Sequence, residues 1–291
     1  MDWIGFPLAI AVALFVVPAG ARGLRDAGLV RANYRGAELA FPLGAVLATA
    51  ALISLAPLAI FNDRADLDLL DPGLRQWLPY LLGIAFLGFL DDALGRGSAA
   101  DAPRGWCGHA RALRERRLST GAIKAIGALA LAAYVVSGRG LESWRYLADI
   151  VLLILATNLG NLLDLRPGRA EKGLALLGVG LCLGAWTLEP IELLGIFAGP
   201  ILVGAWLTLG ERAMLGDTGS NLIGAVAGVW LQTVLGGDGR LIALALVLAL
   251  TIYGELRSIS VTIERVPPLR WLDSLGRWRT ASPQPRPQRI R

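Results

Sequence analysis

Nine apolar runs constrain this 291-residue chain more than any other feature of its sequence. A helix needs about 20 apolar residues to cross the hydrocarbon layer of a bilayer. Charged residues make up 18% of the chain, whereas soluble domains carry roughly 25%. We therefore predict an all-α polytopic membrane protein with about nine transmembrane helices, over Trp3–Ala19, Ala37–Phe61, Leu78–Leu90, Ser119–Val136, Leu147–Leu163, Gly173–Leu188, Ile191–Leu209, Ser220–Leu235 and Leu241–Tyr253.

The basic residues predict the orientation of these spans. With nine crossings, 23 of the 28 Lys and Arg residues fall on one side of the membrane and five on the other. Because short cytoplasmic loops are enriched in Lys and Arg, we place the N-terminus outside and the C-terminus in the cytoplasm. The net charge of +5 is then a matter of topology and lipid contact, and no nucleic-acid partner is expected.

The chain is predicted to form one transmembrane domain over residues 1–265, followed by a basic, Pro- and Arg-rich cytoplasmic tail over 266–291. The first run lacks a basic segment before it and is interpreted as a retained span of a multi-pass cell-membrane protein. A short interfacial helix is expected near Trp271 and Trp278, with the last dozen residues disordered. Cys107 and Cys182 are expected to be free thiols, and Cys107-Gly108-His109 is too small a cluster for a metal site.

Four aspartates stand at the ends of predicted spans. Asp91 and Asp92 end the third span in GFLDDALG, Asp164 ends the fifth in TNLGNLLD, and Asp217 opens the eighth in MLGDTGSN. An acid at the centre of a membrane helix costs about 2.5–3.5 kcal/mol on insertion scales, so such residues tend to have a function. The topology, derived from basic residues alone, places all four at the cytoplasmic face.

Each motif suggests a specific chemistry. Adjacent carboxylates bind a divalent cation or accept a proton, and hard oxygen ligands with phosphate nearby suit Mg²⁺. In the segment Gly216-Asp217-Thr218-Gly219-Ser220, glycines allow backbone N–H groups to approach an anion at a helix N-terminus, with Asp217 holding the metal. Lys124 is a point charge suited to phosphate.

The polar positions Asn158, Asn161 and Asp164 follow one stripe of a helix, where amides can contact a sugar or a base. Taken singly, every motif also fits a structural role. The aspartate pair fits a solvated helix end, Asp217 a helix cap, the asparagines a contact between helices, and Lys124 a lysine reaching the interface.

The motifs together resemble those of the polyprenyl-phosphate N-acetylhexosamine-1-phosphate transferases, glycosyltransferase family 4, a group that includes phospho-N-acetylmuramoyl-pentapeptide translocase. GFLDDALG is similar to the family's aspartate pair, TNLGNLLD to its Asn-x-x-Asn-x-x-Asp motif and MLGDTGSN to its Gly-Asp-x-Gly-Ser motif. LSTGAIK, ending in Lys124, is similar to the segment that carries the family's lysine. The resemblance spans about residues 20–265.

The resemblance implies transfer of a sugar-1-phosphate, of the N-acetylhexosamine class, from a UDP-sugar to polyprenyl (undecaprenyl) phosphate. It also implies release of UMP and a requirement for Mg²⁺. It implies Asp217 as the metal ligand and a catalytic set of Asp91, Asp92 and Asp164. It also implies a substrate-binding set of Lys124, Asn158, Asn161, Gly216, Gly219 and Ser220.

The sequence departs from the family pattern at two places. The family has a second acid shortly after the aspartate of its Asn motif, where this chain has Pro167. The family's late loop carries histidines, whereas this chain has one histidine, His109, in another loop. We expect Arg265 and Arg270 to clamp phosphate instead, since guanidinium binds it in a bidentate manner.

Three other functions stay open at this point. A non-catalytic relative that binds polyprenyl phosphate or a partner membrane enzyme is suggested by the two departures. A transporter would use the acids on its ion path, but these acids cluster at one face rather than at the midplane. A CDP-alcohol phosphotransferase is disfavoured because the chain has no Asp-Gly-x-x-Ala-Arg stretch. The sugar and the oligomeric state, including a homodimer, are left open.

Overall fold

The computed structural model describes residues 2–65, 69–95, 120–140 and 142–278. Each of the nine predicted runs corresponds to a long helix. These helices are α1 (Gly5–Asp26), α2 (Leu43–Arg64), α3 (Leu74–Leu94), α4 (Thr120–Ser137), α5 (Ser143–Leu163), α6 (Arg169–Ala185), α7 (Glu189–Leu209), α8 (Gly216–Val234) and α9 (Gly237–Leu256). Two short helices follow, α10 (Ile259–Arg265) and α11 (Pro267–Ser274), and a 3₁₀ turn over Asp2–Ile4 precedes α1.

Seven of the helices in the described residues are long and apolar enough to cross a membrane. They are α1, α2, α3, α4, α5, α7 and α9, so the predicted class, a helical polytopic membrane protein, is confirmed. Helix α6 has 17 residues, and α8 is surrounded by other helices along most of its length. The number of crossings and the orientation of the termini stay predictions.

Helix α8 is the central helix of the bundle, and glycines let its neighbours approach its backbone. A Cβ atom on Gly44 of α2 would lie 2.0 Å from the Gly219 nitrogen, and one on Gly88 of α3 would lie 2.5 Å from the Asp217 carbonyl oxygen. A Cβ on Gly160 of α5 would lie 2.5 Å from the Ser220 carbonyl oxygen. Such contacts drive helix association in lipid, where hydrophobic burial contributes little. They bring the ends of α3 and α5 to the start of α8.

A two-stranded hairpin, which the sequence did not predict, interrupts the otherwise helical architecture of the described residues. Strands β1 (Val30–Ala32) and β2 (Glu38–Ala40) pair antiparallel in the connection between α1 and α2. The predicted span from Ala37 therefore begins six residues late, at Leu43, after a cis Phe41-Pro42 peptide bond. The Met214 N–H donates to the Ala40 carbonyl oxygen at 2.9 Å, so the hairpin is fixed to the loop that leads into α8.

A buried ion cluster holds the other end of the bundle together. The Asp149 carboxylate accepts from Arg139 at 3.3 Å and from Arg240 at 2.5 Å, and the Gln232 amide donates to the Asp149 carbonyl oxygen at 2.6 Å. These contacts join α5 to α8, to α9 and to the segment that follows α4. These arginines belong to the five that were predicted on the outer side, and the cluster gives them a structural role.

The C-terminal helix α11 lies in the predicted tail but is attached to the bundle. The Asp273 carboxylate is 2.9 Å from Arg169 and 2.9 Å from Arg277, and the Lys172 ammonium donates to the Asp273 carbonyl oxygen at 2.6 Å. Burial raises the pKa of Asp273, but the hydrogen bond and charge of Arg169 outweigh it and leave that pKa below its usual value. The attachment therefore extends the folded body beyond residue 266. The tail predicted to be disordered lies outside the described residues.

Candidate functional site

Asp92 fastens the end of α3 to the start of α8. Its two carboxylate oxygens accept hydrogen bonds from the Asp217 and Thr218 N–H groups, both at 2.9 Å, and from the Thr218 hydroxyl at 2.7 Å. Gly216, the first residue of α8, turns the chain into the helix with φ +71°. A Cβ atom on Gly216 would lie 2.6 Å from the Asp92 carboxylate. An internal carboxylate therefore occupies these two N–H groups at the helix N-terminus, and the assignment of Gly216 and Gly219 to substrate binding stays a prediction.

Asp91, Asp217 and Lys124 meet on the side of α8 that faces solution. The Lys124 ammonium forms an ion pair with the Asp217 carboxylate. The Asp91 carboxylate lies within reach of the Asp217 carboxylate and of the Thr120 hydroxyl. The Lys124 and Asp217 side chains are 22% and 28% exposed, so a solute can reach them. Two carboxylates and one ammonium from three helices form the open part of the site.

The Asn motif joins the same cluster from α5. The Ser220 hydroxyl donates to the Asn161 side-chain oxygen at 3.2 Å, while Gly219 packs against Gly44. Asn158 lies one turn earlier on α5, and the structure gives its side chain no hydrogen bond within the described residues.

Asp164 caps the C-terminus of α5 beside these groups. Burial raises the pKa of the Asp164 carboxyl well above its usual value, and the charges of Glu171, Asp217 and Asp92 raise it further. A carboxyl with a raised pKa is suited to proton transfer near neutral pH. The structure therefore gives the four aspartates different surroundings: Asp92 is buried and hydrogen-bonded to the start of α8, Asp91 and Asp217 face Lys124, and Asp164 is partly buried at the end of α5.

Arg265 and Arg270 do not join this cluster. Both side chains are exposed, on α10 and α11, and within the described residues neither forms an ion pair or a side-chain hydrogen bond with the acids. The C-terminal segment instead contacts the loop after α5 through Arg166, which is 3.1 Å from Glu264, and Arg277, which donates to the Pro167 carbonyl oxygen at 3.1 Å.

The acid cluster fits a metal that is bound together with substrate. Within the described residues, no group of three or more His, Cys, Asp or Glu side chains is placed to hold a metal ion on its own. Mg²⁺, however, commonly uses one or two carboxylates plus substrate phosphates and water. Asp91 and Asp217 supply such a pair of hard oxygen donors. Cys107 and His109 lie outside the described residues.

An apolar groove opens at the same end of the bundle. Its volume is about 480 Å³, and it runs between α5, α6, α8 and α9. At one end it is lined by Gly160 and Leu163, the neighbours of Asn161 and Asp164, and at the other by Leu235 and Gly239. No single stretch of the sequence indicates this groove, because residues from four separate helices form it.

Neither protein-family models nor curated proteins give a match to this chain. The resemblance of its motifs to glycosyltransferase family 4 therefore stays a hypothesis that the geometry of the site must support.

Proposed function

We propose that this chain transfers a sugar-1-phosphate, of the N-acetylhexosamine class, from a UDP-sugar to polyprenyl phosphate, and that it is a divergent member of glycosyltransferase family 4. The observation that carries the proposal is that the acid and lysine cluster at the start of α8 lies beside Asn161, the neighbour of Gly160 at one end of the apolar groove. A soluble diphosphate needs the first feature, and a long isoprenoid chain needs the second. The proposed location is the cytoplasmic face of the cell membrane.

The reaction joins two polyanions. A phosphate oxygen of the lipid attacks the phosphorus that carries the sugar, a new P–O bond forms, and the bond to the bridging oxygen breaks to release UMP. Mg²⁺ held by Asp217 and Asp91 would neutralise charge on the diphosphate. Lys124 contributes a further positive charge at the same place, because its ammonium already pairs with Asp217.

The remaining polar groups divide the other tasks. Asp164, with its raised pKa, takes up the proton of the acceptor phosphate before attack. Asp92 is a positioning residue, since its hydrogen bonds fix the backbone of Asp217. Asn161, placed by Ser220, and Asn158 shape the pocket for the nucleotide.

A second candidate is a non-catalytic relative that binds polyprenyl phosphate. The observation that favours it is the loop after α5, where Pro167 replaces an acid and its carbonyl oxygen accepts from Arg277. In this alternative the loop attaches the C-terminal segment and contributes nothing to donor recognition, while the groove still holds lipid.

The test is release of UMP by the purified full chain in detergent, with undecaprenyl phosphate, Mg²⁺ and a panel of UDP-sugars. Asp217→Asn is expected to abolish turnover. Asp238→Asn is the matched control, because Asp238 is the second residue of α9 as Asp217 is of α8, and it is exposed at a helix start away from the cluster.

Release that depends on one UDP-sugar, stops with EDTA and is lost only in Asp217→Asn would support the transferase. Full activity in Asp217→Asn would contradict the metal assignment. Folded protein that binds undecaprenyl phosphate but releases no UMP from any donor would favour the non-catalytic relative.

A further inference from the structure

Strand β1 presents an arginine at the edge of the candidate site. Neighbouring residues of a strand point to opposite faces. Val30 lines a cavity of about 950 Å³ beside the C-terminal ends of α1 and α7. Arg31 points to the opposite face of the strand. The Arg31 guanidinium carbon lies 3.9 Å from the centre of the Phe41 ring, and Phe41 is buried.

The Phe41 ring connects Arg31 to the start of α8. A Cβ atom on Gly216 would lie 2.9 Å from a ring carbon of Phe41, so the ring is in contact with the residue that precedes Asp217. The charge of Arg31 also acts on the Asp91 carboxylate. Arg31 therefore reaches the open side of the site formed by Asp91, Asp217 and Lys124.

Three of the neighbouring arginines already use their donors within the protein. Arg35 is 3.2 Å from Glu211, Arg25 donates to the Arg212 carbonyl oxygen at 3.1 Å, and Arg166 pairs with Glu264. In the part of the chain that the structure describes, Arg31 makes neither an ion pair nor a hydrogen bond. Stacking uses the face of a guanidinium and leaves the N–H groups at its edge free. The side chain is thus held in place yet able to bind an anion.

We infer that Arg31 binds the diphosphate of the soluble nucleotide-sugar donor. The inference rests on the proposed function, which supplies the donor. Position favours the donor over the acceptor, because the apolar groove proposed for the lipid is lined by residues of α5, α6, α8 and α9 and not by the hairpin. The lipid therefore approaches from that side of α8, while the hairpin with Arg31 and Phe41 lies on the side of α1 and α2.

The first test separates donor from acceptor kinetics. Arg31→Gln should raise the KM for the UDP-sugar about tenfold or more, the usual effect of losing a charge-assisted hydrogen bond, and leave the KM for undecaprenyl phosphate unchanged. Arg31→Lys should recover part of the loss. Arg212→Gln is the matched control, because it also removes a guanidinium that stacks on an aromatic ring. The Arg212 guanidinium carbon lies 5.1 Å from the centre of the Trp206 ring. An increase confined to the lipid KM, or equal effects in Arg31→Gln and Arg212→Gln, would overturn the inference.

A binding measurement makes the result independent of turnover. Magnesium pyrophosphate is titrated into the full chain in detergent by calorimetry, after thermal unfolding has shown that each variant is folded. Weaker binding in Arg31→Gln than in Arg212→Gln is expected. If this holds while the wild type releases no UMP, the proposed reaction fails and the diphosphate site at Arg31 stands. Equal pyrophosphate affinity in wild type, Arg31→Gln and Arg31→Lys would refute the site itself.

Discussion

The contact between α3 and α8 can be tested by adding one methyl group. In Gly88→Ala, the new Cβ would lie 2.5 Å from the Asp217 carbonyl oxygen and 2.7 Å from the Thr218 Cα. Ordinary contact begins near 3.4 Å, so the helices must separate by about 0.9 Å. An equal lengthening of the 2.9 Å bond from Asp217 N–H to Asp92 would take it to about 3.8 Å, beyond hydrogen-bonding distance.

Two consequences follow for Gly88→Ala. Overpacking of this kind lowers the free energy of unfolding by about 1–3 kcal/mol, and a displacement of about 1 Å at a catalytic group lowers turnover by about a hundredfold. Thermal unfolding in detergent and UMP release measure the two effects. Gly180→Ala is the matched control, because Gly180 lies inside α6 with no atom within 4 Å of its added Cβ. It should be neutral or stabilising by up to about 1 kcal/mol. If Gly88→Ala unfolds and turns over like Gly180→Ala, the close packing of α3 against the start of α8 is wrong.

Three other substitutions test the fixed polar contacts. Asp92→Asn sets an amide N–H against the start of α8, and UMP release should show kcat falling by about a hundredfold with little change in KM. Asp149→Asn leaves the partly buried Arg139 and Arg240 without a carboxylate, and thermal unfolding should show a loss of about 3 kcal/mol in the free energy of unfolding. Burial raises the pKa of Asp273, but the hydrogen bond and charge of Arg169 leave that pKa below its usual value of 3.8. The attachment of α11 should therefore be complete at pH 7 and weaken as the pH falls through the lowered pKa. Hydrogen exchange of α11 should therefore rise at acid pH in the wild type and be high at every pH in Asp273→Asn.

The meeting of the four aspartates could be predicted because successive membrane-spanning helices run in opposite directions. Once Lys and Arg counts assign the loops, acids at the ends of odd-numbered spans and at the start of even-numbered ones must share a face. The three acids of α3 and α5 and Asp217 of α8 follow that rule. Their mutual contacts could not be predicted, because they depend on Gly44, Gly88 and Gly160 all packing against one helix.

Other features depend on contacts between distant parts of the chain. Strand β1 has three residues, too few for an alternating pattern, and its hairpin is completed by the loop before α8. Composition could not separate Arg277, which contacts the loop after α5, from Arg265 and Arg270. That difference depends on the break at Val266, after which Pro267 begins α11.

Packing and proposed chemistry use the same turn of α8, and this determines which variants are informative. Gly216 and Gly219 accept neighbouring atoms at distances that a side chain would block, so loss of activity on replacing either glycine reports the fold as much as the reaction. The Asp217 and Lys124 side chains, by contrast, are partly exposed and pair with each other across α8 and α4. A change of charge there alters the open site with little change in packing. Comparing Lys124→Gln with Gly88→Ala therefore separates the two roles, because the first should remove turnover at unchanged stability and the second should lower both.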